Sequence, residues 1–179
     1  MASSTLNELL EDFNARVAAN MIYPKVKYYE QAFLQTKDEL TFPMVNKGNL
    51  TGHQISLNDA YALQTYHRVL SSNTETDWSG GKGKYPYRFR VYEIRNVWLG
   101  NLKRLPKKPY HTIDDVKTEI YNALPVILTN KELIKTNEES ANTLTVLEEE
   151  FAGHNWGNLT LDIIAFYIDY EIRQRIKCN

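Results

Sequence analysis

Cysteine is almost missing from this chain: its 179 residues include one, Cys178, beside the last residue. With no second thiol an internal disulfide is excluded, so the fold has to be held by burial, as expected of a protein made in a reducing compartment. Long apolar runs are missing too. None approaches the roughly 18 residues that a membrane helix needs, and Met1-Ala2-Ser3-Ser4-Thr5-Leu6 has no positive stretch before an apolar core, so neither a membrane span nor a secretory signal is expected. A surplus of one charge sign is also lacking. The net charge of -1 and a pI near 6.4 exclude a global attraction to nucleic acid or anionic lipid, and any such contact has to come from a local patch.

Chemistry-bearing patterns are equally scarce. The histidines His53, His67, His111 and His154 lack the paired spacing of zinc sites, no serine stands in a nucleophile elbow, and Cys178 is poorly placed for a catalytic thiol. The pairs Asp114–Asp115 and Glu138–Glu139 read as ordinary helix-end charges. Asp77, Glu93 and Arg95 offer a faint version of a metal-dependent nuclease pattern. Gly80-Gly81-Lys82-Gly83-Lys84 suggests a phosphate loop but fails the Walker test, because Tyr85 follows Lys84 and a strand pattern follows that. The expectation is a non-enzyme with no catalytic residues, no cofactor and no metal.

What the chain does have is 42% hydrophobic and 12% aromatic content, enough for one domain over residues 1–179. The run Leu159 to Ile172 is β-branched and aromatic after the turn-like Trp156-Gly157-Asn158. Leu161, Ile164, Ile168, Ile172 and Ile176 also share a helical face, but a helix leaves Ile163, Phe166, Tyr167 and Tyr170 off it, so a very long strand is expected, with a bulge or strong twist near Ile163–Ile164. A strand of that length exceeds the usual 5 to 6 residues and points to pairing outside the subunit's own core. Tyr85 to Leu99 has the same character.

Thr5-Leu6-Asn7-Glu8 is a capping box opening a helix over 5–20, and Thr112-Ile113-Asp114-Asp115 opens another that runs to Leu124. Ser56-Leu57-Asn58-Asp59 predicts a further helix to Leu70, and short extended segments are expected between Lys25 and Leu50. Polar Ser71 to Lys84 reads as a flexible loop, and Thr143 to Phe151 as an acidic strand pairing with the last one, a C-terminal strand pair over 143–173 in which Glu148, Glu149 and Glu150 guard against unwanted edge pairing. The fold class expected is α+β: a mostly antiparallel sheet with long bulged strands packed against two or three helices.

Arg88, Arg90 and Arg95, with Lys82 and Lys84 before them, interleave with Tyr85, Tyr87, Phe89 and Tyr92, a ribbon suited to a phosphate backbone. Trp78, Trp98 and Trp156 are candidate anchors. The candidate interface set is Trp78, Lys82, Lys84, Arg88, Arg90 and Trp156.

The order of elements resembles the tail-terminator and head-tail joining proteins of tailed bacteriophages: a capped N-terminal helix, a long strand after a glycine-rich approach, the capped helix Thr112 to Leu124, and a two-strand finish ending with the run Asn158 to Ile172. Ile94-Arg95-Asn96-Val97-Trp98-Leu99-Gly100-Asn101 and His154-Asn155-Trp156-Gly157-Asn158-Leu159 resemble segments from phages of gut Bacteroidetes. The resemblance implies a structural virion protein of the neck, made in the bacterial cytoplasm. It also implies a homo-oligomeric ring that meets portal, adaptor or tail-tube proteins, with passive contact to DNA, no membrane and no catalytic residue. The segment Lys25 to Leu70 is longer than the simplest tail terminators have, which admits a portal-tail adaptor. The alternative is a nucleic-acid-binding or nuclease domain using the basic strand 82–95.

Overall fold

A computed structural model of the chain describes residues 5–46, 52–56, 60–77, 87–106, 112–128, 133–140, 142–156 and 162–176. Seven strands form one sheet in the order β3-β2-β1-β4-β5-β7-β6: β1 (Val26–Lys37), β2 (Leu40–Asn46), β3 (Gly52–Gln54), β4 (Leu63–Asp77), β5 (Tyr87–Asn101), β6 (Leu133–Ser140) and β7 (Ile163–Ile176). All neighbouring pairs are antiparallel except β1 with β4. Three helices pack on it, α1 (Leu6–Asn20), α2 (Ile113–Ala123) and α3 (Thr143–Glu150), so the expected α+β class is observed.

The two capping boxes are present as read. Thr5 and Glu8 exchange hydrogen bonds with each other's backbone N–H, as do Thr112 and Asp115. Leu9, Leu10, Phe13 and Val17 then share the inward face of α1, and Val116, Ile120 and Ala123 that of α2. These two helices cover one face of the sheet, over Leu63, Ile94, Trp98, Phe166, Ile168, Tyr170 and Ile172. On the opposite face α3 and the β1–β2 hairpin enclose Tyr66, Val97, Leu99 and Ala165.

The long C-terminal strand is there. β7 would span about 46 Å at the usual rise, and its Ile164, Phe166, Ile168, Tyr170 and Ile172 all face α1 and α2. Two expectations about it are corrected. No bulge interrupts it against β5, whose register runs unbroken from Asn101–Ile163 to Arg88–Ile176, and its apolar side chains are buried within the chain itself. Both faces of β5 and β7 are covered in their inner halves, so an apolar run without strict alternation needs no switch of face. Register shifts lie instead in β1, between Tyr28 and Gln31, in β4, between Val69 and Ser71, and in β6, between Thr136 and Glu138.

Three further expectations fail. The stretch read as a helix to Leu70 is the first half of β4, where Leu63 to His67 are all buried because alternate side chains enter opposite cores, erasing the period of two. Ser71 to Asp77, read as loop, continues that strand against β5, and its Thr74 and Thr76 suit a strand; residues 78–84 lie outside those described. Thr143 to Glu150 is a helix, because Asn142 accepts from the N–H groups of Leu144 and Thr145 and Val146, Leu147 and Glu150 then fall on one side. The partner of β7 on that side is β6. The short extended segments between Lys25 and Leu50 are the long hairpin β1–β2, closed by Asp38 and Glu39, both with positive φ, 52° and 66°.

Candidate functional site

The buried polar groups come first, since a catalytic centre would draw on them. His67, on β4, is fully enclosed between Phe13 of α1 and Tyr170 of β7. Asn14 donates through Nδ2 to the Tyr29 carbonyl, so its Oδ1 is free to accept, and His67 Nε2 donates to it across 2.8 Å. Nδ1 then accepts from the Tyr170 hydroxyl at 2.9 Å. Burial holds this imidazole neutral and pushes its pKa down to about 3. Both nitrogens are occupied by chain groups, which is the chemistry of a core cross-link. Asn96 plays a similar part, donating to Thr65 Oγ1 and the Tyr66 carbonyl while accepting from Trp98 Nε1.

On the opposite face Glu150 is wholly buried and accepts from Arg68 at 2.7 Å and from the Tyr66 hydroxyl at 2.9 Å. Burial raises its pKa, the larger effect, while Arg68 pulls it back. Arg95 holds Asp169 with two nitrogens, reaches Glu149, and lies 3.5 Å from the centre of the Tyr167 ring. These glutamates, expected to guard a strand edge, dock α3 onto the sheet.

The suggested nuclease triplet does not converge. Glu93 accepts from Ser71, Arg95 is committed to Asp169, and Asp77 stands beside Tyr87, six residues along β5 and about 20 Å from Glu93. Among the described residues no group of three or more His, Cys, Asp or Glu could hold a metal ion, and no helix is long and apolar enough to cross a membrane.

No family model matches the chain, and no curated protein or solved structure matches it. Its own surface therefore has to carry the functional reading.

Of the candidate interface residues, Arg88 and Arg90 are exposed and side by side on one face of β5, flanked by Thr74 and Thr76 of β4 and by Gln174 and Ile176 of β7. Neither is in an ion pair among the described residues. Arg95 points to the other face, so the basic ribbon is divided by strand alternation. Trp156 is half-buried against Phe151 and His154, in the second core. Trp98 is core. Trp78, Lys82 and Lys84 lie outside the described residues.

A feature that composition did not single out completes the surface. β1 follows β4 only as far as the Ala32–Arg68 row and then departs to pair with β2. From Leu70 to Thr76 the outer edge of β4 has no backbone partner among the described residues. Leu34 and Leu70 flank this fork, 36% and 43% exposed. The parallel β1–β4 pairing that makes the fork is long-range, and no local signal encodes it.

Proposed function

We propose that this chain is a non-enzymatic assembly subunit whose sheet is extended by neighbouring polypeptide. The observation that carries this reading is the outer half of β4, a run of strand outside the helices' cover with one edge unpaired among the described residues and the exposed Leu70 at its root. Such an edge is a template for another strand, and closed cyclic symmetry is the arrangement that uses edges without runaway growth. The specific form we propose is a ring at the head–tail junction of a tailed bacteriophage, in contact with portal, adaptor or tail-tube proteins. What supports that form is the order of elements: α1, the long strand β5 and α2 keep the types that the resemblance rests on, and β6 and β7 supply a closing strand pair with α3 between them.

Light scattering after size-exclusion chromatography, with negative-stain imaging, tests the reading. A mass of several subunits and annular particles are expected. A protein that stays monomeric at every concentration and in the presence of phage neck extracts would overturn it.

Arg88 and Arg90, exposed and without an ion pair among the described residues, favour a second reading, contact with the phosphate backbone of DNA. A salt-dependent affinity that falls when both become alanine supports it; unchanged affinity removes it.

A further inference from the structure

The strands β4, β5, β7 and β6 form a block in which each runs antiparallel to the next. Because their number is even, the two outermost strands run in opposite directions. One outer edge is the open run Leu70–Thr76 of β4. The other belongs to β6, where the Val126 carbonyl already accepts from the Ile134 N–H and the run from Lys135 to Ser140 follows. Neither run has a further backbone partner among the described residues, and both are about 20 Å long. Each strand also carries a bulge, at Leu70 in β4 and between Thr136 and Glu138 in β6, and bulges add the local twist by which a sheet curves towards closure.

From this geometry we infer that the open edge of β4 in one copy receives β6 of the next copy, antiparallel, joining copies head to tail. The inference rests on the assembly reading above and names its joint. A second copy fits for three reasons. Opposite strand directions make the two edges of one chain mutually compatible, which leaves every copy with the same free edge to offer its neighbour. The matched lengths allow full pairing. The run Leu70-Ser71-Ser72-Asn73-Thr74-Glu75-Thr76 lacks the lysine and proline that usually guard an edge, and Glu75 is its one charge. Pairing of β4 with another β4 would also be antiparallel, but it stops at two copies and leaves both β6 edges open.

Cross-linking separates these arrangements. In a Cys178→Ser background, Thr74→Cys and Thr136→Cys place one thiol on each edge, on the same face of the block. Within one chain they are three strand spacings and four residue rows apart, since Thr74 is in the row of Gln174 and Thr136 in that of Tyr170, about 19 Å in all and beyond disulfide reach. Under mild oxidation the double variant is expected to form a ladder of covalent multimers, while each single variant stays monomeric on a non-reducing gel. A covalent dimer from Thr74→Cys alone would overturn the head-to-tail joint in favour of β4 pairing with itself. No ladder from the double variant, with an oligomeric parent by light scattering, would overturn the joint but spare the assembly reading; a parent that stays monomeric at every concentration and with phage neck extracts present would remove both. Proline adds an independent arm. Successive strand residues aim their N–H groups to opposite sides, so one of Asn73→Pro and Thr74→Pro removes an outward donor only, and that variant is expected to melt near the parent temperature yet be monomeric. A variant that melts normally and still assembles would count against the joint.

Discussion

The guanidinium of Arg68 sits 2.7 Å from Glu150 Oε1, joining β4 to the last turn of α3. Glu150 has no solvent of its own and the Tyr66 hydroxyl completes its coordination. Removing Arg68 therefore leaves a buried charge unmatched. Arg68→Ala is expected to destabilise by about 3 kcal/mol, whereas Glu150→Gln, which still accepts from Tyr66 and lets Arg68 turn towards water, is expected to cost less than half of that. Urea unfolding of both variants checks the order; equal losses would show that the ion pair is not what holds α3.

His67 predicts a specific pH dependence. Its folded pKa of about 3 lies below the ordinary 6.5, so the unfolded chain binds the proton more tightly. The stability tied to its neutral form is complete above pH 6.5 and is lost as pH falls towards 3, on the order of 1 kcal/mol per pH unit. Glu150, with a raised pKa, acts in the opposite sense, since its folded form takes up a proton first as pH drops towards its ordinary 4.5. The window to read is therefore the stretch just below pH 6.5, farthest from the ordinary range of Glu150. Across it, thermal unfolding of the parent should weaken, and His67→Gln, lower in stability throughout, should lose that slope. Parallel pH profiles would contradict the assignment.

The turn of the β1–β2 hairpin is locally disfavoured. Asp38 and Glu39 both hold positive φ, as a type I′ turn demands, and glutamate has no special tolerance for it. Replacing the pair by Asn-Gly should stabilise the protein by about 1 kcal/mol, read as a rise in melting temperature. A fall would mean that the Asp38 or Glu39 side chain makes a contact worth more than the strain.

Gly153 holds the hairpin and α3 together. Its φ is 83°, a Cβ there would collide with the Glu39 carbonyl oxygen, and beside it the Ala152 carbonyl accepts from Thr41 N–H at 2.8 Å. Gly153→Ala should cost about 1–3 kcal/mol, with amide exchange rising first in β2 and α3. An unchanged exchange pattern would contradict the linkage.

Local patterns were legible wherever one short stretch of chain carried its own physics. The capping boxes at Thr5 and Thr112 satisfy free backbone donors within four residues, so α1 and α2 could be placed from neighbouring side chains. The β-branched and aromatic run into β7 identified a strand for the same reason. Glu148 to Glu150, by contrast, suggested an edge guard and proved to be part of a helix held by Asn142 and by arginines 82 and 54 residues away. β4 was missed because its inner half is buried on both faces and its outer half is polar, so neither half shows the alternation of a half-buried strand.

The sequence by itself determined the α+β class, two of the three helices, the two longest apolar strands and the lack of a thiol partner or a zinc-type spacing, all properties of composition or of neighbours along the chain. Tertiary structure alone decided that β1 parts from β4 after Ala32, that His67 and Glu150 are enclosed, and that the edge from Leu70 to Thr76 has no backbone partner among the described residues. Those outcomes depend on which distant segments win the competition to pair, a choice made by summed burial and hydrogen bonding over the whole sheet, to which no single stretch holds the key.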